Sequence, residues 1–98
     1  MSVLREFDRD LHEPARLVLV ANLFVVDEAD FVFLSKQTGL TAGNISFHMA
    51  KLEEVGYVDV RKEFVGKKPR TTYKLTPAGR AAFSLHRERL REVLDGVP

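Results

Sequence analysis

Three residues, Gly39-Leu40-Thr41, separate two segments of helical periodicity, and no other feature of the chain narrows its fold so far. Before them, Asp30 is a helix cap followed by inward-facing Phe31 and Leu34, with Phe33 a further candidate. Gly39 ends that helix, because glycine adopts the left-handed conformation at least cost. After them, Thr41 is a good N-cap with Asn44 three residues on. Ile45, Met49, Leu52 and Val55 then recur at spacings of four, three and three as one apolar stripe up to Gly56. Two consecutive helices joined by a tight turn follow.

The flanking segments complete the order. Pro14 suits a first helical turn, and Leu17, Val18, Ala21, Leu23, Phe24 and Val25 cover most of a helix circumference before Asp27-Glu28, which predicts a central buried helix. Tyr57 to Phe64 alternates, with Val58 and Val60 on one face and Asp59 and Arg61 on the other; Thr71 to Leu75 alternates likewise. Between these two strands, Val65-Gly66-Lys67-Lys68-Pro69-Arg70 carries the glycine and proline of a loop, so the pair is a hairpin with a basic tip. Thr76 caps and Pro77 starts a last helix to about Leu94, about 27 Å long at 1.5 Å per residue. The class is mainly α with a β-hairpin (α+β), and 98 residues predict a single domain, 1–98.

Composition removes several functions. No cysteine is present, so thiolate metal sites, disulfides and cysteine nucleophiles drop out. His12, His48 and His86 fall on separate elements, Ser35, Ser46 and Ser84 lack a nucleophile-elbow context, and there is no Gly-rich phosphate loop. No enzyme and no cofactor are expected. Asp8, Asp10 and His12 sit near one end and His86 and Glu88 near the other; side chains two apart on a helix diverge, so neither set chelates by itself. Leu17 to Val26, interrupted by Asn22, is far short of the roughly 20 residues a bilayer needs, and residues 1–10 carry no signal-peptide pattern, so a cytoplasmic location is expected.

Charge is unevenly spread. The net charge is +1, but residues 1–39 carry four basic against seven acidic side chains, whereas residues 61–75 carry six basic against Glu63 alone. That second field suits a polyanion or, equally, a solvated hairpin face.

The order of three helices, a hairpin and a closing helix is that of a winged helix-turn-helix. The chain resembles the winged-helix transcriptional regulators of the ArsR/MarR-like grouping, most closely a small single-domain DNA-binding family within it. The resemblance rests on residues 11–17 (LHEPARL), 39–49 (GLTAGNISFHM), 51–58 (KLEEVGYV) and 69–80 (PRTTYKLTPAGR). It implies a recognition helix at about 41–55, a wing at about 57–75, a C-terminal helix at about 77–94, and double-stranded DNA as partner. Phe47 departs from the pattern, which more often has a small or polar residue there.

If Ile45, Met49 and Leu52 face the core, Gly43, Asn44, Phe47 and Lys51 turn outward with Ala42 and Ser46 flanking. Asn44 suits an adenine edge, Thr41 and Ser46 a phosphate or base, and Lys51 a phosphate or guanine. Thr41 and Asn44 are equally explained as helix-start chemistry, and Phe47 lies either at a thymine methyl or, with the phase shifted by one, in the core or a dimer contact. His48, beside the stripe, is expected to be hydrogen-bonded and partly buried. On the wing, Lys67, Lys68 and especially Arg70 suit a minor groove or its phosphates, and Thr71 and Thr72 offer hydroxyls to phosphate.

A homodimer is expected, since one such domain reads few base pairs. Phe83, Leu90, Val93, Leu94 and Val97 form one apolar stripe and Leu4, Phe7 and Leu11 another; they either pack across a two-fold axis or fold back on their own domain. The rival function is a winged-helix module that binds protein through the hairpin or Phe47. No effector domain is visible, which leaves any small-molecule effector open.

Overall fold

The computed structural model describes residues 7–96. The elements run α1 (Pro14–Val26), β1 (Glu28–Asp30), α2 (Phe31–Thr38), α3 (Ala42–Glu54), β2 (Val58–Val65), β3 (Lys68–Leu75) and α4 (Pro77–Asp95). Each helix starts where a side chain answers otherwise unpaired amide groups. Glu13 accepts from the Ala15 and Arg16 amides, Asp30 from Phe33, Thr41 from Asn44 and Thr76 from Gly79. Gly39 ends α2 at φ 74°, as its place after the last periodic residue requires.

The sheet has one strand more than the sequence pattern suggests. β1 pairs antiparallel with β3, giving the order β1-β3-β2 and the register Glu28↔Lys74, Ala29↔Tyr73 and Asp30↔Thr72. Asp27, the one non-glycine residue with positive φ among those described, turns the chain out of α1 into this strand; its carboxylate accepts from Arg80 Nη2 at 2.7 Å. β2 and β3 pair throughout, from Val58↔Leu75 at the base to Val65↔Lys68 at the tip.

Leu19, Val20 and Leu23 of α1, Leu34 of α2, Ile45, Met49 and Leu52 of α3, and Val58, Tyr73 and Leu75 of the sheet form the core. Val18 and Val25 are exposed, so α1 buries one face rather than most of its circumference. Phe33 is exposed too, and Val55 is an exposed cap rather than the end of the α3 stripe. Leu11 and Phe83, expected at a dimer contact, belong to this core: Leu11 is fully buried and Phe83 packs on Phe24 with ring centroids 5.0 Å apart. Both stripes therefore turn partly back onto their own domain. Past His86 the α4 side chains are half-buried or exposed, and the molecule is elongated, 54 × 24 × 21 Å. No helix among the described residues is long and apolar enough to cross a membrane.

α4 is seated by Gly79, where a Cβ would overlap the carbonyl of Tyr57. Gly79→Ala is expected to cost about 3 kcal/mol, lowering the melting temperature by about 10 °C or more in a thermal scan.

His12 and His86, far apart in sequence, meet with Nδ1 and Nε2 3.4 Å apart, and the Phe7 ring lies edge-on to His86. His86 is 1% exposed and its Nδ1 has no hydrogen-bond partner among the described residues. Burial, and then the neighbouring His12, push its pKa below the ordinary 6.5, with Asp8 opposing. The unfolded chain therefore takes up this proton before the folded one, so the associated stability is complete above the ordinary value and is lost as pH falls through the folded one. The melting temperature should fall as pH drops below the ordinary histidine value of 6.5, and His86→Leu should flatten that fall.

Candidate nucleic-acid interface

The first two turns of α3 present Thr41, Ala42, Gly43, Asn44, Ser46, Phe47 and, one turn on, Lys51 as exposed residues, while Ile45, Met49 and Leu52 are buried beneath them. Phe47 is 57% exposed, with Lys51 Nζ 5.8 Å from its ring centroid. It faces out of the domain, so a core position is ruled out. The Thr41 hydroxyl accepts from the Asn44 amide at 3.3 Å, which leaves its own proton available.

His48 ties this helix to α1. Its Nδ1 lies 3.3 Å from Arg16 Nη1 and 3.5 Å from Glu13 Oε2, so it accepts from arginine when bare and donates to the carboxylate when protonated. Burial raises the Glu13 pKa, but the Arg16 and Ala15 amides and the His48 and Arg16 charges outweigh it and hold the carboxyl below its ordinary value. Arg16 Nε donates onward to the Asp10 carbonyl at 2.6 Å.

On its other flank α3 meets the sheet across an open groove of about 470 Å³, walled by Ser46, Ala50 and Glu53 on one side and Val60, Lys62, Thr71 and Tyr73 on the other. Burial raises the Tyr73 phenol pKa, and the Ser46 hydroxyl, donating to it, opposes that rise. The exposed flank of α3 and the root of the hairpin are thus adjacent walls of one concavity.

The hairpin cations divide into two groups. Arg61 Nη2 donates to Glu28 at 2.6 Å, and Arg70 Nη2 stands 3.5 Å from Asp30, so β1 answers one arginine on each strand of the hairpin. Arg70, singled out in the sequence for a minor groove, is engaged internally, although half-exposed. Lys62, Lys67 and Lys68 form no ion pair among the described residues. Thr71 lies at the groove. Thr72 is withdrawn from the candidate surface: it is 3% exposed and its hydroxyl points to the Arg61 carbonyl, since its register opposite Asp30 puts it under β1.

Of the residues expected at a dimer contact, Leu90 and Val93 are at least partly accessible and Leu94 is 71% exposed; Phe7 packs on His12 and His86, and Leu4 lies outside the described residues, as does Val97. Sequence reasoning missed the pairing of His12 with His86, the role of β1 and the exposure of Phe64. Only the last had a local signal, an aromatic residue next to a turn. No group of three potential metal ligands gathers among the described residues.

This geometry is shared with known proteins. A transcriptional regulator homologue from Pyrococcus horikoshii superposes with a TM-score of 0.88 at 31% identity, covering 98% of this chain and 97% of that one. The transcriptional repressor BigR from Xylella fastidiosa superposes with a TM-score of 0.64 at 26% identity, covering 98% and 85%. An uncharacterized protein of Methanocaldococcus jannaschii is 35% identical over 68 residues, 69% of this chain and 74% of that one. The two relatives named for a function are regulators rather than enzymes. The family model described as a winged helix DNA-binding domain matches residues 15–94, and the chain belongs to that family.

Proposed function

We propose that the protein is a sequence-specific, double-stranded DNA-binding transcriptional regulator that works as a homodimer, with α3 in the major groove and the hairpin on the minor groove or phosphates. The observation that carries this reading is the shared groove: Ser46 on α3 and Lys62 and Thr71 on the hairpin line one concavity, so a single duplex can meet both. Asn44 supplies bidentate readout, and Lys51, Lys62, Lys67, Lys68 and Arg70 supply phosphate contacts, the last by exchanging Asp30 for a phosphate. The surface pair it gives up is weak.

The salt dependence tests the phosphate contacts. About five per protomer correspond to a log-log slope near −4 to −5 for each protomer bound, and Lys67→Ala/Lys68→Ala/Arg70→Ala should flatten it by about 3 per protomer in a fluorescence titration. Asn44→Ala should cost about 1–3 kcal/mol on a preferred site and little on random duplex. No binding by the unsubstituted protein at low salt would overturn the reading in favour of a protein-binding module.

The projecting end of α4 supports the dimer, because Leu85 and Leu94 are exposed beside half-buried Leu90. Light scattering is expected to give twice the 11.1 kDa chain mass, and Leu94→Glu to give the monomer mass with the fold intact.

A further inference from the structure

The far end of the hairpin carries an apolar residue that the fold does not use. Phe64 is 74% exposed, and its partner across the ladder is Pro69. Side chains alternate along a strand, so Phe64 and Pro69 share the face of Lys62 and Thr71, which lines the groove against α3, while Arg61 and Glu63 pair on the opposite face. Val60, the last β2 residue packed against the core, is four positions back, about 13 Å at 3.3 Å per residue. Phe64 therefore stands beyond the reach of its own domain.

Its surroundings restrict what it meets. Lys67 and Lys68 stand at the tip, Arg70 is the neighbour of Pro69, and Lys62 lies two residues back on the face of Phe64; Lys62, Lys67 and Lys68 have no ion pair among the described residues. Two copies of such a tip repel each other, and an apolar protein surface would leave the lysines desolvated without partners. A surface that combines dense negative charge with stacked apolar faces satisfies both requirements, and duplex DNA is such a surface.

We propose that Phe64, backed by Pro69, is a wedge that enters the minor groove and partly unstacks one base step, so that the protein bends its DNA. This rests on the DNA-binding reading above and adds a source of specificity to it. Pyrimidine–purine steps unstack at least cost, so the wing favours sites carrying such a step beneath it without touching base edges.

The test uses the full chain and a duplex that the protein itself enriches from a random library. Permanganate, which oxidises unstacked thymines, reports the wedge, and circularly permuted fragments report the bend. The unsubstituted protein is expected to make a thymine beneath the wing reactive and to bend the duplex by about 20° or more. Phe64→Ala should abolish both signals and weaken binding about tenfold with the salt slope unchanged, while Phe64→Leu retains part of each. Lys67→Ala/Lys68→Ala should flatten the slope and keep the reactive thymine. Phe64 is exposed, so unchanged melting verifies that these variants fold. Binding of the enriched duplex without a reactive thymine, or with one that survives Phe64→Ala, overturns the wedge and leaves the regulator reading standing. Failure to enrich any duplex overturns both, as does Phe64-dependent binding to anionic vesicles alone.

Discussion

The backbone of Gly56 and Tyr57 is where the segments of this fold are locked together. The Tyr57 amide donates to Leu52 at 2.9 Å, closing α3, and its carbonyl accepts from the Thr76 amide at 3.0 Å, closing the hairpin base. Thr76 donates its hydroxyl to the Gly56 carbonyl at 2.6 Å and accepts from Gly79 at 2.9 Å, so the residue that caps α4 also clasps the end of α3. The Tyr57 phenol donates to Asp8 at 2.5 Å, a bond that, with burial and the nearby acids, pushes its pKa up to about 12. The angle between α3 and the wing has no slack at this end.

What could be read from the sequence follows from which interactions are local. Asp30, Thr41 and Thr76 cap because a short polar side chain reaches amides two or three residues on, and Gly39 ends α2 for an equally local reason. The stripe Ile45, Met49, Leu52 repeats with the helix itself. β1 has only three residues, too few to show alternation, and owes its existence to a partner more than forty positions away. Amphipathic spacing likewise identified Leu11 and Phe83 as buried without saying against what; the answer depended on where α1 and α4 cross. Thr72 was misplaced for the same reason, since strand parity has no meaning until the neighbouring strand is known.

The opposed charges of residues 1–39 and 61–75 gain a different meaning once the chain is folded. They are not only two separate fields facing outward; along β1 they face each other, Glu28 against Arg61 and Asp30 against Arg70. Asp27 does the same for Arg80 of α4. Such pairs contribute little stability at a half-exposed surface, but they set the shape of the field. Arg61 and Arg70 are answered internally, whereas Lys62, Lys67, Lys68 and Lys74 form no ion pair among the described residues, a division which a count over the same residues conceals.

The side of α3 that faces outward is decided by three tethers from three different elements. The core holds Ile45, Met49 and Leu52 from below, Glu13 and Arg16 of the α1 start hold His48, and Tyr73 of β3 holds Ser46. Each residue is rotated by about 100° from the next, so these contacts together leave the helix one rotational setting. A shift of one residue that buried Ser46 in the place of Ile45 would turn Phe47 toward the sheet and put Met49 at the α1 start, stripping Arg16 and Glu13 of their partner. The part-buried polar contacts of His48 thus oppose that shift together with the apolar stripe, because apolar packing tolerates some sliding and a part-buried polar contact tolerates less. Phe47, resting beside His48 with ring centroids 5.2 Å apart, takes its outward direction from this arrangement.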